Sequence, residues 1–359
     1  MSIAIVGIGT WLPETVRTND AWPPEFAERL RRGGDRTFND IPPSEDPESA
    51  AIVARDLARE ADDPFIGAKV RRVADATMTA PEAEARAGMA ALRDAGALPG
   101  DVDLLLSYAV VPDDLGAVHP TSVAHLIGAK RATALHVEAA CATAITGLDI
   151  ARAYITTGLA KTVLLTQSHL FLRAMPMEHP AAPGLGDGAS ALVVARSDRG
   201  FAIRSTFSRT HAEEHESIAW VRSHDAASDL PWWKAGNDFR LGSRAPERVK
   251  WLMRDTVSYG ADTIREAAER GETPVAGLGV IASVQPRGFI PGAIAERLGL
   301  PRSCAVTTYE AVAHLGACGP VFNLMRAREQ DRTPPGTLVA MYGQGAGFTR
   351  AAAILEARG

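Results

Sequence analysis

Cys141 lies in the stretch Leu-His-Val-Glu-Ala-Ala-Cys-Ala-Thr-Ala-Ile-Thr-Gly-Leu-Asp-Ile-Ala, residues 135–151. An apolar, strand-like run ends at the cysteine, and an Ala-rich helical run starts directly after it. A thiol is thereby set at the N-terminus of a helix. Unpaired N–H groups and the positive end of the helix dipole favour a thiolate there. Such a sulfur can carry an acyl group as a thioester. The same residue also reads as a small packed core side chain, as free cysteines often are. The choice between the two depends on the rest of the chain.

Short apolar runs alternate with longer amphipathic ones, the pattern of an α/β protein with buried strands. Strands are expected at 3–8, 104–111, 134–138, 162–167 and 191–195, and again at 201–207, 277–283, 305–309, 337–342 and 351–355. Helices are expected at 80–95, 141–157, 245–268, 291–298 and 317–330. Residues 31–48 and 175–186, rich in Gly, Pro and polar residues, read as loops. The first of these is long enough to cover a binding site. The two strand series share one order of elements, an internal duplication of a unit of roughly 150 residues. The polar turn at 196–200 marks the junction, giving halves 1–197 and 198–359. If the halves pack as pseudo-symmetric partners, the starts of the helices near Cys141 and Ala317 converge, and Cys141 and His314 share a pocket.

Composition narrows the function classes. The chain has 359 residues, 46% hydrophobic and 23% charged, as expected of a globular protein with a sizeable core. A net charge of −5 gives no reason to expect nucleic acid or an anionic membrane as a partner. The three cysteines, Cys141, Cys304 and Cys318, have no CxxC spacing and no even count. They argue against a disulfide framework and a zinc site, and suit a reducing cytoplasm. The N-terminus reads as a first strand rather than a signal peptide, and no apolar run has the length of a membrane span. Cys304 and Cys318 read as packing residues. His211 and His215 read as part of a solvated charged face rather than a metal site. Trp232 and Trp233 precede the long helix, where they would border an entrance or simply pack.

Several motifs in order carry a resemblance. They are Ala-Cys-Ala around Cys141, Gly-Asp-Gly-Ala-Ser-Ala-Leu-Val-Val at 186–194, Ala-Gly-Asn-Asp-Phe at 235–239 and Gly-Gln-Gly-Ala-Gly-Phe-Thr at 343–349. Together they make the chain similar to the thiolase superfamily, nearest the ketoacyl-acyl carrier protein synthase III type, over nearly its whole length. The resemblance implies a duplicated five-layered αβαβα thiolase fold with two mixed sheets, and a homodimer. It implies no resident cofactor and no metal. An acyl-coenzyme A or an acyl-phosphopantetheine carrier protein would be the donor. The backbone amides of Cys141 and Ala346 would form the oxyanion hole, in keeping with the two preorganised donors a tetrahedral intermediate needs. Arg71 and Arg72 fall roughly where the family places basic residues for the donor's phosphate.

The chain departs from the family at two positions. Typical members pair the cysteine with a histidine and an asparagine. Here Gln285, in Val-Ile-Ala-Ser-Val-Gln-Pro-Arg-Gly, stands at the histidine position, and His314 stands at the asparagine position. An amide can donate a hydrogen bond but cannot take up a proton at neutral pH. One histidine beside a thioester suits acyl transfer to a hydroxyl or amine, where a single base removes the acceptor's proton. This resembles a side branch of the family that acylates small natural-product acceptors, usually with a Cys-His-Asp triad. Gln344 stands in the region expected for that Asp. Glu310, four residues before His314, is a candidate substitute that reads more readily as a solvated or capping carboxylate. Gln285 reads as a pocket-lining or supporting donor. The expected function is therefore transfer of an acyl group through a Cys141 thioester to a small-molecule acceptor in secondary metabolism. The alternatives are a starter-unit condensing enzyme that forms a carbon–carbon bond, and a non-enzymatic partner subunit of an active synthase.

Overall fold

The computed structural model describes residues 1–32, 41–114, 117–222 and 239–359; Trp232, Trp233 and most of the 235–239 motif lie outside them. The strands are β1 (Ser2–Trp11), β2 (Val16–Thr18), β3 (Val70–Arg72), β4 (Leu104–Ala109), β5 (Thr133–His136), β6 (Thr162–His169), β7 (Gly188–Ser197), β8 (Gly200–Thr210), β9 (Ala219–Arg222), β10 (Phe239–Gly242), β11 (Leu278–Ser283), β12 (Ala305–Val306), β13 (Leu338–Gly345) and β14 (Thr349–Arg358). The helices are α1 (Pro24–Arg32), α2 (Pro47–Arg59), α3 (Ala80–Ala95), α4 (Val118–Ile127), α5 (Thr143–Thr156), α6 (Pro246–Arg270), α7 (Ile290–Arg297), α8 (Tyr309–Val312) and α9 (Gly319–Glu329). The segment expected as a loop at 31–48 is flanked by helix on both sides, since α1 runs to Arg32 and α2 starts at Pro47 behind an Asp46 cap.

Strand order shows the duplication directly. The sheet runs β12-β11-β13-β14-β8-β1-β7-β6-β4-β5. Read outward from its centre, the first half is β1-β7-β6-β4-β5 and the second is β8-β14-β13-β11-β12, the same order twice. The two sheets expected from the sequence are thus two five-stranded halves that meet edge to edge. The pairs Ala4–Ala202 and Ile5–Phe201 join them into one ten-stranded sheet. Each half mixes parallel and antiparallel pairs.

Burial builds the layers. Helices α5 and α9 contribute Ile145, Leu148, Val321 and Leu324 to a core that also takes Leu165 and Val194 from the first half and Met341 and Ala353 from the second. Being apolar on several sides, they form the middle layer. The first outer layer is α3 and α4 over β4, β6 and β7, packed through Leu92, Val123, Leu164 and Val193. On the other side α6 and α7 cover β8, β11, β13 and β14 through Ile264, Ile294, Tyr342 and Ile354. Helix, sheet, helix, sheet, helix is the five-layered arrangement.

One polar cage ties an outer helix to the sheet. Glu84 of α3 is fully buried and accepts hydrogen bonds from Ser107 Oγ (2.7 Å), Thr166 Oγ1 (2.6 Å) and Ser168 Oγ (3.0 Å). His119 Nε2 of α4 lies 2.8 Å from its other oxygen side. A buried carboxylate is tolerated because every lone pair it turns inward has a donor. Replacing Glu84→Ala strands those donors and is expected to cost about 3 kcal/mol or more, read as a lower denaturant midpoint at unchanged slope.

Candidate active site

The nucleophile sits on a tight turn. Ala140–Ala142 form a single 3-10 turn ahead of α5. Ala140 adopts φ +47°, a left-handed conformation that costs a residue with a Cβ on the order of 1 kcal/mol. Thr143 Oγ1 holds the turn by accepting from Ala139 N (2.9 Å) and donating to Ala140 O (2.7 Å). The helix start expected at Cys141 is therefore a wound turn with the sulfur at its middle.

The Gly-rich end of β13 lies against this turn. A Cβ on Gly345 would stand 2.0 Å from Ala139 O, and one on Gly343 would stand 2.8 Å from Ala142 Cα. Only glycine permits so close an approach. It brings the Ala346 segment, which turns β13 into β14, alongside Cys141. Gln344 points elsewhere, accepting from Tyr342 Oη at 2.8 Å and from Thr256 Oγ1 at 3.5 Å.

His314 comes from the second half. It follows α8 through Ala313, whose φ of 58° and ψ of −153° lie in a region normally reserved for glycine. His314 N donates to Gly184 O (2.9 Å), and Gly186 N donates to His314 O (3.1 Å). This clamps the residue to the segment before β7. The Gly-Asp-Gly motif acquires a physical reason here. The buried Asp187 carboxylate accepts from Ala74 N (2.9 Å) and Leu172 N (3.1 Å) and pins that segment. The result is a Cys141 Sγ to His314 Nε2 separation of 3.7 Å, bridging 173 positions of sequence.

Burial sets the protonation states. It pushes the Cys141 thiol up to about 12, while that residue's own backbone favours the thiolate slightly. It pushes His314 down to about 3, helped by the adjacent His169 and opposed by the Gln285 backbone carbonyl. In the unliganded protein the desolvation cost exceeds the helix-terminus effect that suggested a thiolate. The resting pair is a neutral thiol beside a neutral imidazole.

The other expected site residues fall into different surroundings. Gln285 is fully buried and its amide is satisfied within the protein. It donates to Thr308 Oγ1 (2.9 Å) and Ala313 O (3.2 Å), and accepts from Thr307 Oγ1, Thr308 N and Asn323 Nδ2 at 3.0–3.1 Å. It braces the His314 loop instead of facing a reactant. Glu310 is exposed and pairs with Lys69 at 2.6 Å. His314 Nδ1 is buried without a hydrogen-bond partner, so among the described residues no carboxylate engages it. Arg71 is fully buried beneath Trp22 and Phe65. It donates to Pro183 O (2.5 Å), Ala68 O (3.1 Å) and Asn19 Oδ1, and burial lowers it to about 10. Arg72 donates to Pro13 O (3.1 Å) and Glu14 O (3.3 Å). These guanidiniums are engaged in holding loops, and Arg71 has no surface to offer a phosphate. Cys318 is buried with its thiol toward Gln167 O at 3.4 Å, a packing residue. His215 is exposed, whereas His211 packs against Tyr259 and Phe348. Among the described residues no cluster of His, Cys, Asp and Glu could hold a metal ion, and no helix is long and apolar enough to cross a membrane.

Sequence reasoning overlooked His169. It ends β6, is buried, and meets His314 edge-on with ring centroids 5.6 Å apart. The available signal was its place: a histidine at the C-terminal end of a buried strand that runs beside the nucleophile's helix.

Comparison with known proteins agrees with this architecture. A model for 3-oxoacyl-[acyl-carrier-protein (ACP)] synthase III matches residues 135–212, and one for the C terminal of the same enzyme matches residues 272–357. The chain is 28% identical over 354 residues to β-ketoacyl-[acyl-carrier-protein] synthase III of Granulibacter bethesdensis, covering 98% of each chain. It is 26% identical over 348 residues to the enzyme of the same name from Bordetella petrii, covering 96% and 95%. In fold it is similar to 3-oxoacyl-[acyl-carrier-protein] synthase III of Aquifex aeolicus, with a TM-score of 0.77 at 23% identity over 99% of each chain. It is similar as well to the priming β-ketosynthase of the R1128 polyketide pathway, with a TM-score of 0.76 at 21% identity over 99% and 96%. The chain is thus similar in sequence to 3-oxoacyl-[acyl-carrier-protein] synthase III over nearly its whole length and shares the fold of those enzymes.

Two outcomes follow for the site. With the thiol protonated at neutral pH, alkylation of Cys141 by iodoacetamide is expected to rise steadily, about tenfold per pH unit between pH 7 and 10. A rate already on a plateau at pH 6 would mean a thiolate–imidazolium pair instead. Gly345→Ala is expected to push β13 off the nucleophile's turn, destabilising the fold by about 1–3 kcal/mol and slowing alkylation even where the protein remains folded by thermal melt.

Proposed function

We infer that this protein takes an acyl group onto Cys141 from a coenzyme A or acyl carrier protein thioester and passes it to a second reactant. The observation that carries this reading is the 3.7 Å contact between Cys141 Sγ and His314 Nε2 at the head of the central helix layer. As Sγ attacks the thioester carbonyl, its proton passes to Nε2, so the nucleophile is ionised only in the transition state. The oxyanion faces the N–H groups of Cys141 and Ala346. Collapse of the intermediate expels the carrier thiol, which recovers the proton from His314.

For the second step, the names of the curated relatives support a condensing enzyme that joins the acyl group to a carbon nucleophile from a thioester. A specific observation supports a second reading, transfer to a hydroxyl or amine of a small natural-product acceptor. Gln285 has spent its amide inside the protein, which leaves His314 without the second donor expected at an enolate oxygen. A homodimer belongs to this reading. Strand β5 is an open sheet edge with Leu135 exposed, and an uncovered edge of this kind invites pairing with another copy.

Incubation with a panel of acyl thioesters, followed by intact-protein mass spectrometry, tests the first step. An adduct is expected on the wild-type chain and none on Cys141→Ala; no adduct with any donor overturns the reading. Chasing the acyl-enzyme separates the second steps. Carbon dioxide released from a malonyl thioester with a ketoacyl product indicates condensation, and an ester or amide formed without carbon dioxide indicates acyl transfer.

A further inference from the structure

The side of the first sheet half that faces the middle layer changes character at one level. Leu106, Leu165 and Leu192 lie side by side across β4, β6 and β7, buried in the central core. One step towards the C-terminal ends of β4 and β6, the next set on that face is Tyr108, Gln167 and Ser190. All three are buried, Tyr108 at 3% exposure. Ser107 and Thr166, between the two levels, point the other way and bond Glu84 of α3. A polar row on an otherwise apolar face is costly unless its hydrogen bonds are made. Gln167 and Ser190 satisfy each other, Nε2 donating to Oγ at 2.6 Å. Cys318 joins them through its contact with Gln167 O at 3.4 Å. Tyr108 stands apart: among the described residues its hydroxyl has no hydrogen-bond partner.

The row lies beneath the nucleophile. The chain leaving β5 passes beside Tyr108, where Val137 N donates to Ser107 O at 3.0 Å, and it reaches Cys141 four residues later. From there α5 packs on the same face of the sheet through Ile145 and Leu148. Electrostatics give the same placement. Burial raises the Tyr108 phenol well above its usual value, and negative charge on Cys141 would raise it further, ahead of Glu138 and Cys318. At neutral pH the phenol is therefore a protonated donor close to the sulfur, with nothing in the protein to receive its hydrogen bond.

We propose that Tyr108 is a specificity-determining residue of the acyl site, its hydroxyl donating to an oxygen carried by the acyl group on Cys141. The site then favours acyl groups that bear a hydroxyl or carbonyl oxygen beyond the thioester over plain hydrocarbon groups of the same length. The discrimination comes from the phenol: an acyl group without that oxygen leaves a buried donor unpaired.

The proposal deepens the acyl-enzyme reading and rests on it. Its test is a competition in one tube, butyryl-coenzyme A against 3-hydroxybutyryl-coenzyme A and, separately, against acetoacetyl-coenzyme A, with the adducts on Cys141 weighed at early times. The wild-type chain is expected to take at least one oxygen-bearing group about tenfold faster than butyryl. Tyr108→Phe, which keeps the ring and removes the hydroxyl, is expected to bring that ratio to within about twofold of unity. Both donors meet the same protein, so a merely structural role would slow them alike and leave the ratio where it was. An unchanged ratio in Tyr108→Phe therefore overturns the proposal, and so does the absence of any preference in the wild type. If Tyr108→Phe fails to fold, the wild-type partition decides alone, equal uptake overturning the proposal and a preference for the oxygen-bearing group supporting it. No adduct from any donor sinks the acyl-enzyme reading itself, whereas adducts formed in equal amounts sink only the role given to Tyr108.

Discussion

The structure depends on the meeting of two backbone turns that leave Cys141 and His314 side by side, each half-buried. The turn that bears Cys141 and the loop that bears His314 come from different copies of a duplicated unit. Each contains a residue with a side chain in a conformation better suited to glycine, Ala140 at φ +47° and Ala313 at φ 58°. Strain of this kind persists only where the surroundings overdetermine it. Here Thr143 ties one turn on both sides. Gln285, Thr308 and Asn323 tie the other, and the Asp187-pinned segment clamps His314 by its own backbone.

The partial desolvation of this pair sets its resting state. A thiol raised to about 12 and an imidazole lowered to about 3 do not exchange a proton at rest. In the proposed reaction, charge arises only as a thioester carbonyl receives the electrons, at the oxygen that the Cys141 and Ala346 amides are proposed to hold. Preorganised dipoles in a low-dielectric site are worth most at that moment. A resting thiolate would be open to oxidation and to any passing electrophile; a resting thiol is not.

Much of this was legible in the chain. The strand-to-helix change at Cys141, the second strand series and the glycines at 343 and 345 are patterns of period and residue type, and those follow from backbone geometry. The pairing of Cys141 with His314 followed from the repeat. What stayed hidden was set by tertiary surroundings. Arg71 looks like a surface cation in sequence, and only the packing of Trp22 and Phe65 over it shows why it is buried. The amide of Gln285 could face a reactant or its own loop, and its five partners come from residues 22 to 38 positions away. His169 carries no local motif, and the ring it meets edge-on lies 145 residues later. Helix α8 escaped because it is only one turn long.

The strands of the two sheet halves meet at Ala4–Ala202 and Ile5–Phe201, with α5 and α9 packed as the shared middle layer. One half supplies sulfur and the other supplies imidazole. The sulfur and the imidazole therefore meet only after the later half has docked on the earlier one. What completed assembly adds is a histidine beside the thiol, together with a desolvation that holds the thiol protonated, two effects that a half of the chain alone does not have.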